Sequence, residues 1–324
     1  MRLIIVIGIL FLLSACSDNN LAQQDISEIQ ISHDGKSLLV NRFRAGQFTI
    51  HSANIDGSNE TEIFSDGLRP RFSFDDALIA VLNAKTAQEQ AILTLKRDGT
   101  SSELGVKAFT TAANHVFSPI NNSLVFRASD KDGDQLIYYN LINDESKAMH
   151  SGGKYNDYAF SPDGNKIVFD NGRSQLLIHD LTDDSESTIP TTAAIVSMAK
   201  FKSATEILYV GDNDFVLYNL ETQTTTLLVS VGTTISEFAI TPAGNEIAFI
   251  TKVDQFNQIK VHDLTDDSLA QLTSDSSDKR SLVLSPTDDV YFFISWGVFD
   301  GDQATSVVES MNSSGENRRV LIEQ

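Results

Sequence analysis

Seven segments of this 324-residue chain repeat one short pattern, and the interval between them limits the possible architectures more than any other feature. They read EIQISHDGKSLLV, PRFSFDDALIAVL, HVFSPINNSLVFR, YAFSPDGNKIVFD, AKFKSATEILYVG, FAITPAGNEIAFI and LVLSPTDDVYFFI. Taken at Ser32, Ser73, Ser118, Ser161, Lys202, Thr241 and Ser285, the turn within them recurs every 39 to 45 residues. Periods of this size mark arrays of one supersecondary unit that cannot bury its apolar faces alone.

The unit is legible in the local chemistry. Apolar and aromatic residues alternate into Ser-Pro-Asp-Gly or a relative of it, where Pro presets φ, Asp bonds the turn backbone and Gly accepts positive φ. That predicts a hairpin. A β-rich run such as Lys166-Ile167-Val168-Phe169 follows, then a polar turn and a third strand such as Leu176-Leu177-Ile178-His179-Asp180-Leu181. A second turn and a short Thr- or Leu-containing strand complete four strands per repeat. No window beyond the N-terminal apolar run carries a sustained helical stripe. The expected fold is all-β: one seven-bladed β-propeller of four-stranded antiparallel blades over residues 26–324. Its first strand is innermost and its last outermost, a phase that leaves no obvious strand exchange between the termini.

Phe160-Ser161-Pro162-Asp163-Gly164, followed by Lys166-Ile167-Val168-Phe169, resembles the repeat of the TolB-like, WD-repeat-like propellers. Ser129-Asp130-Lys131-Asp132-Gly133-Asp134 before Ile137-Tyr138 is similar to the Asp-rich turn that continues that pattern. The resemblance covers residues 26–324 and implies the fold. It leaves activity open, because such blades occur in Tol-system proteins, peptidase regulatory domains and lyases. Blades two and five depart from the pattern at Phe74-Asp75-Asp76 and Lys202-Ser203-Ala204, which puts the geometry of those hairpins in question. TolB itself carries an α/β domain before its propeller. Here residues 17–25 alone separate Cys16 from the first repeat, so the chain is not expected to be a TolB ortholog.

Met1-Arg2 gives a short positive start, and Leu3 through Leu13 is an apolar run of signal-peptide length, too short to span a bilayer comfortably. It ends in Leu13-Ser14-Ala15-Cys16, which resembles the bacterial lipobox. That resemblance implies cleavage before Cys16, diacylglycerol on its sulfur, palmitate-type chains in the membrane, and, with Ser17 next, an outer-membrane anchor facing the periplasm. The domain plan is a cleaved signal at 1–15, a lipidated tether at 16–25 and the propeller at 26–324. Cys16 is the one cysteine in the chain, which rules out intramolecular disulfides, cysteine zinc clusters and thiol catalysis in the propeller.

With 44 acidic against 24 basic residues the formal charge is -20, which repels nucleic acid at long range. No Gly-x-Ser-x-Gly elbow, His-Glu-x-x-His or phosphate loop is present, so a peptidase activity would need a catalytic domain elsewhere. His179 and His262 sit in near-identical runs, HDLTDD, but at equivalent third-strand positions of different blades, where Tyr139 and Tyr218 also fall. They are expected to be structural. Asp130, Asp132 and Asp134 offer alternate carboxylates to Ca²⁺, yet no glutamate stands at the twelfth position of an EF-hand loop. The expectation is no metal and no cofactor, with Ca²⁺ as the alternative.

What remains is recognition by loops. Second-to-third-strand hairpins share a face with the blade-to-blade connections, and that face usually carries partners. Arg42 and Arg44 in blade one, Phe256 in blade six, and Trp296 and Phe299 in blade seven are the candidate contacts. A second candidate is the axial mouth, where Glu28, Arg69, Asn114, Asp157, Glu237 and Ser281 align across six blades, with His115 beside them. The first reading is a non-enzymatic envelope scaffold that docks another envelope protein. The alternative is an enzyme or a saccharide or metal binder that uses the mouth.

Overall fold

The computed structural model describes residues 25–86, 89–97, 100–103, 111–130, 133–172, 174–300 and 303–323. They form seven four-stranded antiparallel sheets, each from four consecutive strands. Blade one holds β1 (Asp25–Ile31), β2 (Ser37–Arg44), β3 (Gln47–Asn54) and β4 (Thr61–Ser65). Blade two holds β5 (Gly67–Phe72), β6 (Leu78–Thr86), β7 (Glu89–Lys96) and β8 (Ser101–Glu103). Blade three holds β9 (Thr111–Phe117), β10 (Ser123–Asp130), β11 (Gly133–Asn140) and β12 (Glu145–Ser151). Blade four holds β13 (Tyr158–Phe160), β14 (Lys166–Asp170), β15 (Leu176–Asp180) and β16 (Ser185–Ile189). Blade five holds β17 (Val196–Phe201), β18 (Glu206–Gly211), β19 (Asp214–Asn219) and β20 (Thr224–Ser230). Blade six holds β21 (Ile235–Ile240), β22 (Glu246–Val253), β23 (Phe256–Asp263) and β24 (Ser268–Gln271). Blade seven holds β25 (Asp278–Leu284), β26 (Val290–Asp300), β27 (Gln303–Asn312) and β28 (Arg319–Ile322). The chain is a seven-bladed β-propeller.

The first hairpin of each blade follows one recipe. In blade four, the Ser161 N–H donates to the Lys166 carbonyl and the Gly164 N–H to the Ser161 carbonyl, both at 2.8 Å. The Ser161 hydroxyl is buried, accepts the Lys166 N–H at 2.9 Å and donates to Asp163 at 2.5 Å. That hydroxyl holds the Asp163 carboxyl below the usual carboxylate range. Ser32 with Asp34 and Ser73 with Asp75 repeat the arrangement. The two irregular turns are variants of it. In blade two, Asp76 takes the glycine place at φ 57°, and its carboxylate accepts the His33 and Asp34 N–H groups of blade one at 2.8 and 3.0 Å. In blade five the turn is one residue shorter and closes from the Lys202 N–H to the Glu206 carbonyl at 2.8 Å.

Second strands such as β18 are buried on both faces, so they read as continuous apolar runs rather than alternating ones. Each face packs against a different neighbour. Among the described residues, one apolar cluster fills each of the seven interfaces between adjacent blades. The core is thus a circle of interfaces, and stacking in a ring buries what a single blade exposes.

No described strand of one terminus enters the sheet of the other. Side chains close the ring instead. Ile26, Ile29, Leu38 and Val40 of blade one pack on Phe292, Ile294 and Val308 of blade seven. The Ile26 and Ile29 N–H groups donate to the Ser306 and Ser281 hydroxyls at 2.7 and 2.9 Å, and Arg280 binds Asp25 and, at 2.6 Å, the Ile26 carbonyl.

Candidate functional site

The inner strands share a defect that builds the axial site. In six blades the pairing of the first and second strands slips by one residue near the start of the inner strand, a β-bulge at the same point of the repeat. In blade four, β13 begins only at Tyr158, after that point. Four bulges hold a non-glycine residue at positive φ: Arg69 at 54°, Asn114 at 55°, Met198 at 52° and Ser281 at 54°. Such backbone costs about 1 kcal/mol or more per residue, so the surroundings must over-determine it.

They do so through a belt of polar contacts that runs from blade to blade around the mouth. Glu28 of blade one binds Arg71 of blade two at 2.6 Å. Arg69 donates to the Asn114 amide oxygen of blade three, and Asn114 Nδ2 donates to the Asn156 carbonyl of blade four at 3.2 Å. Asp157 accepts the bulge N–H of Met198 in blade five at 3.2 Å. Lys200 donates to the Phe238 carbonyl of blade six at 2.5 Å, and the backbone N–H groups of Leu282 and Ser281 in blade seven favour the charged form of the Glu237 carboxyl. Ser281 returns to blade one by accepting the Ile29 N–H at 2.9 Å. The aligned polar positions therefore fasten the ring, and bulge amides freed from the ladder find their acceptors on the next blade.

The same side chains line an axial cavity of about 620 Å³ to which all seven blades contribute. Glu28, Arg69, Asn114, His115, Asp157 and Glu237 all line it, so the structure brings the mouth candidates together. Two residues further along each inner strand lies a second, deeper tier. Val116, Ala159, Ala239 and Val283 there are uncharged, as is Gln30, whereas Arg71 and Lys200 are cations. This tier escaped the sequence reading, because alignment on the turn picks the bulge position, and in blade five that position is Met198.

The electrostatics separate these groups. His115 is 1% exposed, its Nε2 lies 3.1 Å from the Ala80 carbonyl, and burial with the Arg71 charge pushes its pKa down to about 3. It stays neutral at physiological pH. Lys200 is surrounded by protein although its surface opens onto the channel; burial holds its ammonium below the usual range, against the Glu237 and Asp157 charges. Burial pushes the Glu237 carboxyl up, against the Lys200 charge.

The peripheral candidates are scattered. Arg42 is committed, binding Glu60 through two bonds of 2.6 and 2.8 Å, whereas Arg44 is exposed and forms no hydrogen bond or ion pair with a described residue. Both border a second cavity of about 510 Å³ on blade one. Trp296 is 37% exposed with the Arg280 guanidinium 5.8 Å from its ring centroid, and Phe256 is half-buried at the tip of its hairpin. Phe299 lies in β26, but its side chain falls outside what is described. His179 and His262 are buried and lie 3.0 and 3.4 Å from Asp184 and Asp267, turn residues of their own blades, and Tyr139 bonds Asp144 in the same way. The histidines are therefore fixtures of separate blades. Among the described residues no three His, Cys, Asp or Glu side chains group as a metal site. Asp132 and the Asp130 side chain lie outside the described residues, and Asp134 accepts the Ser129 hydroxyl. Residues 1–24, with the expected signal and Cys16, are also outside.

Glu60 supports a pH prediction. Burial alone would raise its pKa, but bonds from His51 and Arg42 and their charges override this and hold it at about 2. A depressed carboxylate stabilises the fold above its unfolded value and loses that contribution as pH falls through the folded one. Stability should therefore drop by about 1–3 kcal/mol between about pH 4.5 and pH 2 on account of this group. Denaturant titrations of Glu60→Gln should show a correspondingly flatter acid limb; an unchanged slope would refute the assignment.

No known family model matches the sequence, and no curated protein matches it. Solved structures do match in shape. A puromycin-hydrolyzing peptidase of Mycobacterium tuberculosis superposes with a TM-score of 0.73 at 12% identity, over 94% of this chain and 53% of that one. An oligogalacturonate lyase of Vibrio parahaemolyticus gives 0.68 at 13%, over 85% and 87%. TolB of Acinetobacter baumannii gives 0.54 at 18%, over 93% and 63%. The chain thus spans about half of the peptidase and under two thirds of TolB, and the shared element is a propeller that serves three different proteins.

Proposed function

We propose that the chain is a non-enzymatic lipoprotein of the cell envelope, anchored at the periplasmic side of the outer membrane through acylated Cys16, whose propeller docks another envelope protein. The docking face is the one where the second-to-third-strand hairpins surround the axial mouth. One observation carries this reading: the mouth gathers charged groups that no close ion pair ties down, while its one imidazole is buried and neutral. Lys200, Asp157 and Glu237 are in no ion pair with a described residue, and the Glu237 and Asp157 charges reach Lys200 only across the open cavity that all seven blades line. Charges that face a cavity without a close partner fit a ligand that completes them. His115, with its pKa near 3, is unsuited to proton transfer at neutral pH. Exposed Trp296 and Arg44 add contacts of the kinds that dominate protein interfaces.

Crosslinking and capture from native envelopes tests this, comparing the wild-type lipoprotein with a Phe256→Ala/Trp296→Ala/Phe299→Ala variant. A specific partner should be retained by the wild type and fall about thirtyfold or more in the variant, as loss of hot-spot aromatics implies. Equal capture by both forms would remove blades six and seven from the docking site, and no specific capture by either would sink the scaffold reading.

A further inference from the structure

The deeper tier of the axial cavity has a polarity that the mouth alone does not reveal. The mouth tier carries Glu28, Asp157 and Glu237 against one cation, Arg69; two residues deeper, the charged members are Arg71 and Lys200. The cavity is therefore acidic at its rim and basic below. Arg71 comes from blade two and Lys200 from blade five, across the ring, and the Arg71 charge is felt at Lys200. Arg71 is partly spent on Glu28 at 2.6 Å and the Pro70 carbonyl at 2.8 Å. Lys200 is not. Of three ammonium N–H groups, one donates to the Phe238 carbonyl, and the Phe238 ring centroid lies 4.6 Å away. No other described residue bonds it, so two donors face the cavity.

We infer that this cavity receives the C-terminal carboxylate of an extended polypeptide, seated on the deeper tier between Lys200 and Arg71. Three features select that chemistry. A carboxylate satisfies the spare donors of an ammonium whose surface opens into the cavity, and does so through a charge-assisted bond. The uncharged remainder of the tier accepts an apolar terminal residue. The acidic rim repels polyanions and phosphates, so one negative charge at the end of an otherwise neutral or basic chain is what passes. Capture of a chain terminus is an established recognition mode, and here a side-chain ammonium takes the part that backbone N–H groups play elsewhere. The inference rests on the scaffold reading and narrows its partner to a protein with an accessible C-terminus.

A random-sequence hexapeptide library, synthesised once with free C-terminal carboxylates and once as carboxamides, is offered to the immobilised protein, and bound peptides are identified by mass. The wild type should retain peptides from the acid form, and their amides should bind roughly tenfold or more weakly, the effect of removing a charge-assisted bond. Lys200→Met should erase the difference between the two forms. Should that variant fold poorly, the acid-to-amide comparison on the wild type decides the matter alone. Equal retention of both forms, or of neither, overturns the inference while leaving envelope-partner capture to be judged separately. If acetate or a short fatty acid displaces the retained peptides at equal affinity, the site belongs to a small carboxylate and the polypeptide assignment falls.

Discussion

Asp275→Ala is expected to cost about 3–5 kcal/mol of stability, because it strands a buried ammonium. Lys279, in the innermost strand of blade seven, has a side chain with no exposed surface, and its charge is answered by Asp275 at 2.5 Å. Ser277 supplies the remaining acceptors through its carbonyl and hydroxyl. Asp275 also receives Arg318, whose guanidinium holds Glu309 at 2.7 Å, and Glu309 accepts the Ser295 hydroxyl. Burial works to raise the Asp275 pKa, but the bonds from Lys279, Ser277 and Arg318 hold it far below the usual carboxylate range. Removing the carboxylate leaves Lys279 charged and dry, with a fall in Tm of roughly 10 °C for a domain of this size. The double variant Asp275→Ala/Lys279→Met should recover most of the loss, since the cost lies in the unpaired charge rather than in the missing bond.

A pH arm sharpens the test. Burial already holds Lys279 below the usual lysine range, and without Asp275 the depression deepens. Between the folded and unfolded pKa values the unfolded chain binds more protons, so stability of the single variant should climb as pH rises towards 10, which the double variant should not do. A single variant within 1 kcal/mol of wild type, or a double variant no better than the single, would show that the network is not organised around Lys279.

The fold was legible because its determinants are local. Ser-Pro-Asp-Gly specifies its own hairpin whatever surrounds it, and seven copies at blade spacing leave one architecture to build. His179 and His262 were placed correctly by register, since equivalent repeat positions occupy equivalent places in different blades. The mouth was legible in part. Alignment found Glu28, Arg69, Asn114, Asp157 and Glu237 because all stand four residues before the turn. It missed Lys200 and Arg71 because they stand two residues nearer the turn, where the other blades carry Gln30, Val116, Ala159, Ala239 and Val283 and no charged column shows; nor does a glycine announce the bulge, since Arg69, Asn114, Met198 and Ser281 carry the positive φ instead. The Lys279 network was invisible for another reason. Asp275 lies in a blade connection and Arg318 precedes the last strand, so only tertiary packing brings them together.

Function was less legible because propeller strands answer to packing, while specificity sits in side chains that packing leaves free. Arg42 and Arg44 illustrate the distinction. They occupy the same face of one strand, yet Glu60 consumes the first, and nothing in the described structure consumes the second. A sequence shows both as exposed cations on a hairpin; the structure shows that one is a strut.

The second large effect concerns the seam. At every other interface a connection crosses the gap, as residues 231–234 do between blades five and six, so those blades part only by stretching a short link. Between blades seven and one nothing covalent crosses among the described residues, and Phe292, 3% exposed, is a main apolar contributor. Phe292→Ala should cost about 3–5 kcal/mol, as should Phe169→Ala at the interface of blades three and four. The two losses should be spent differently. With the seam weakened, blades one and seven separate without global unfolding, so amide exchange should rise first in β1 and β27, while β13 to β15 keep their protection. Phe169→Ala, in a tethered interface, should raise exchange across the ring together. If both variants raise exchange uniformly, the ring opens only as a cooperative whole, and the polar bolts at Ser306, Ser281 and Arg280 are as good as a strand exchange; if β1 and β27 alone respond to Phe292→Ala, the seam is the point at which the propeller yields.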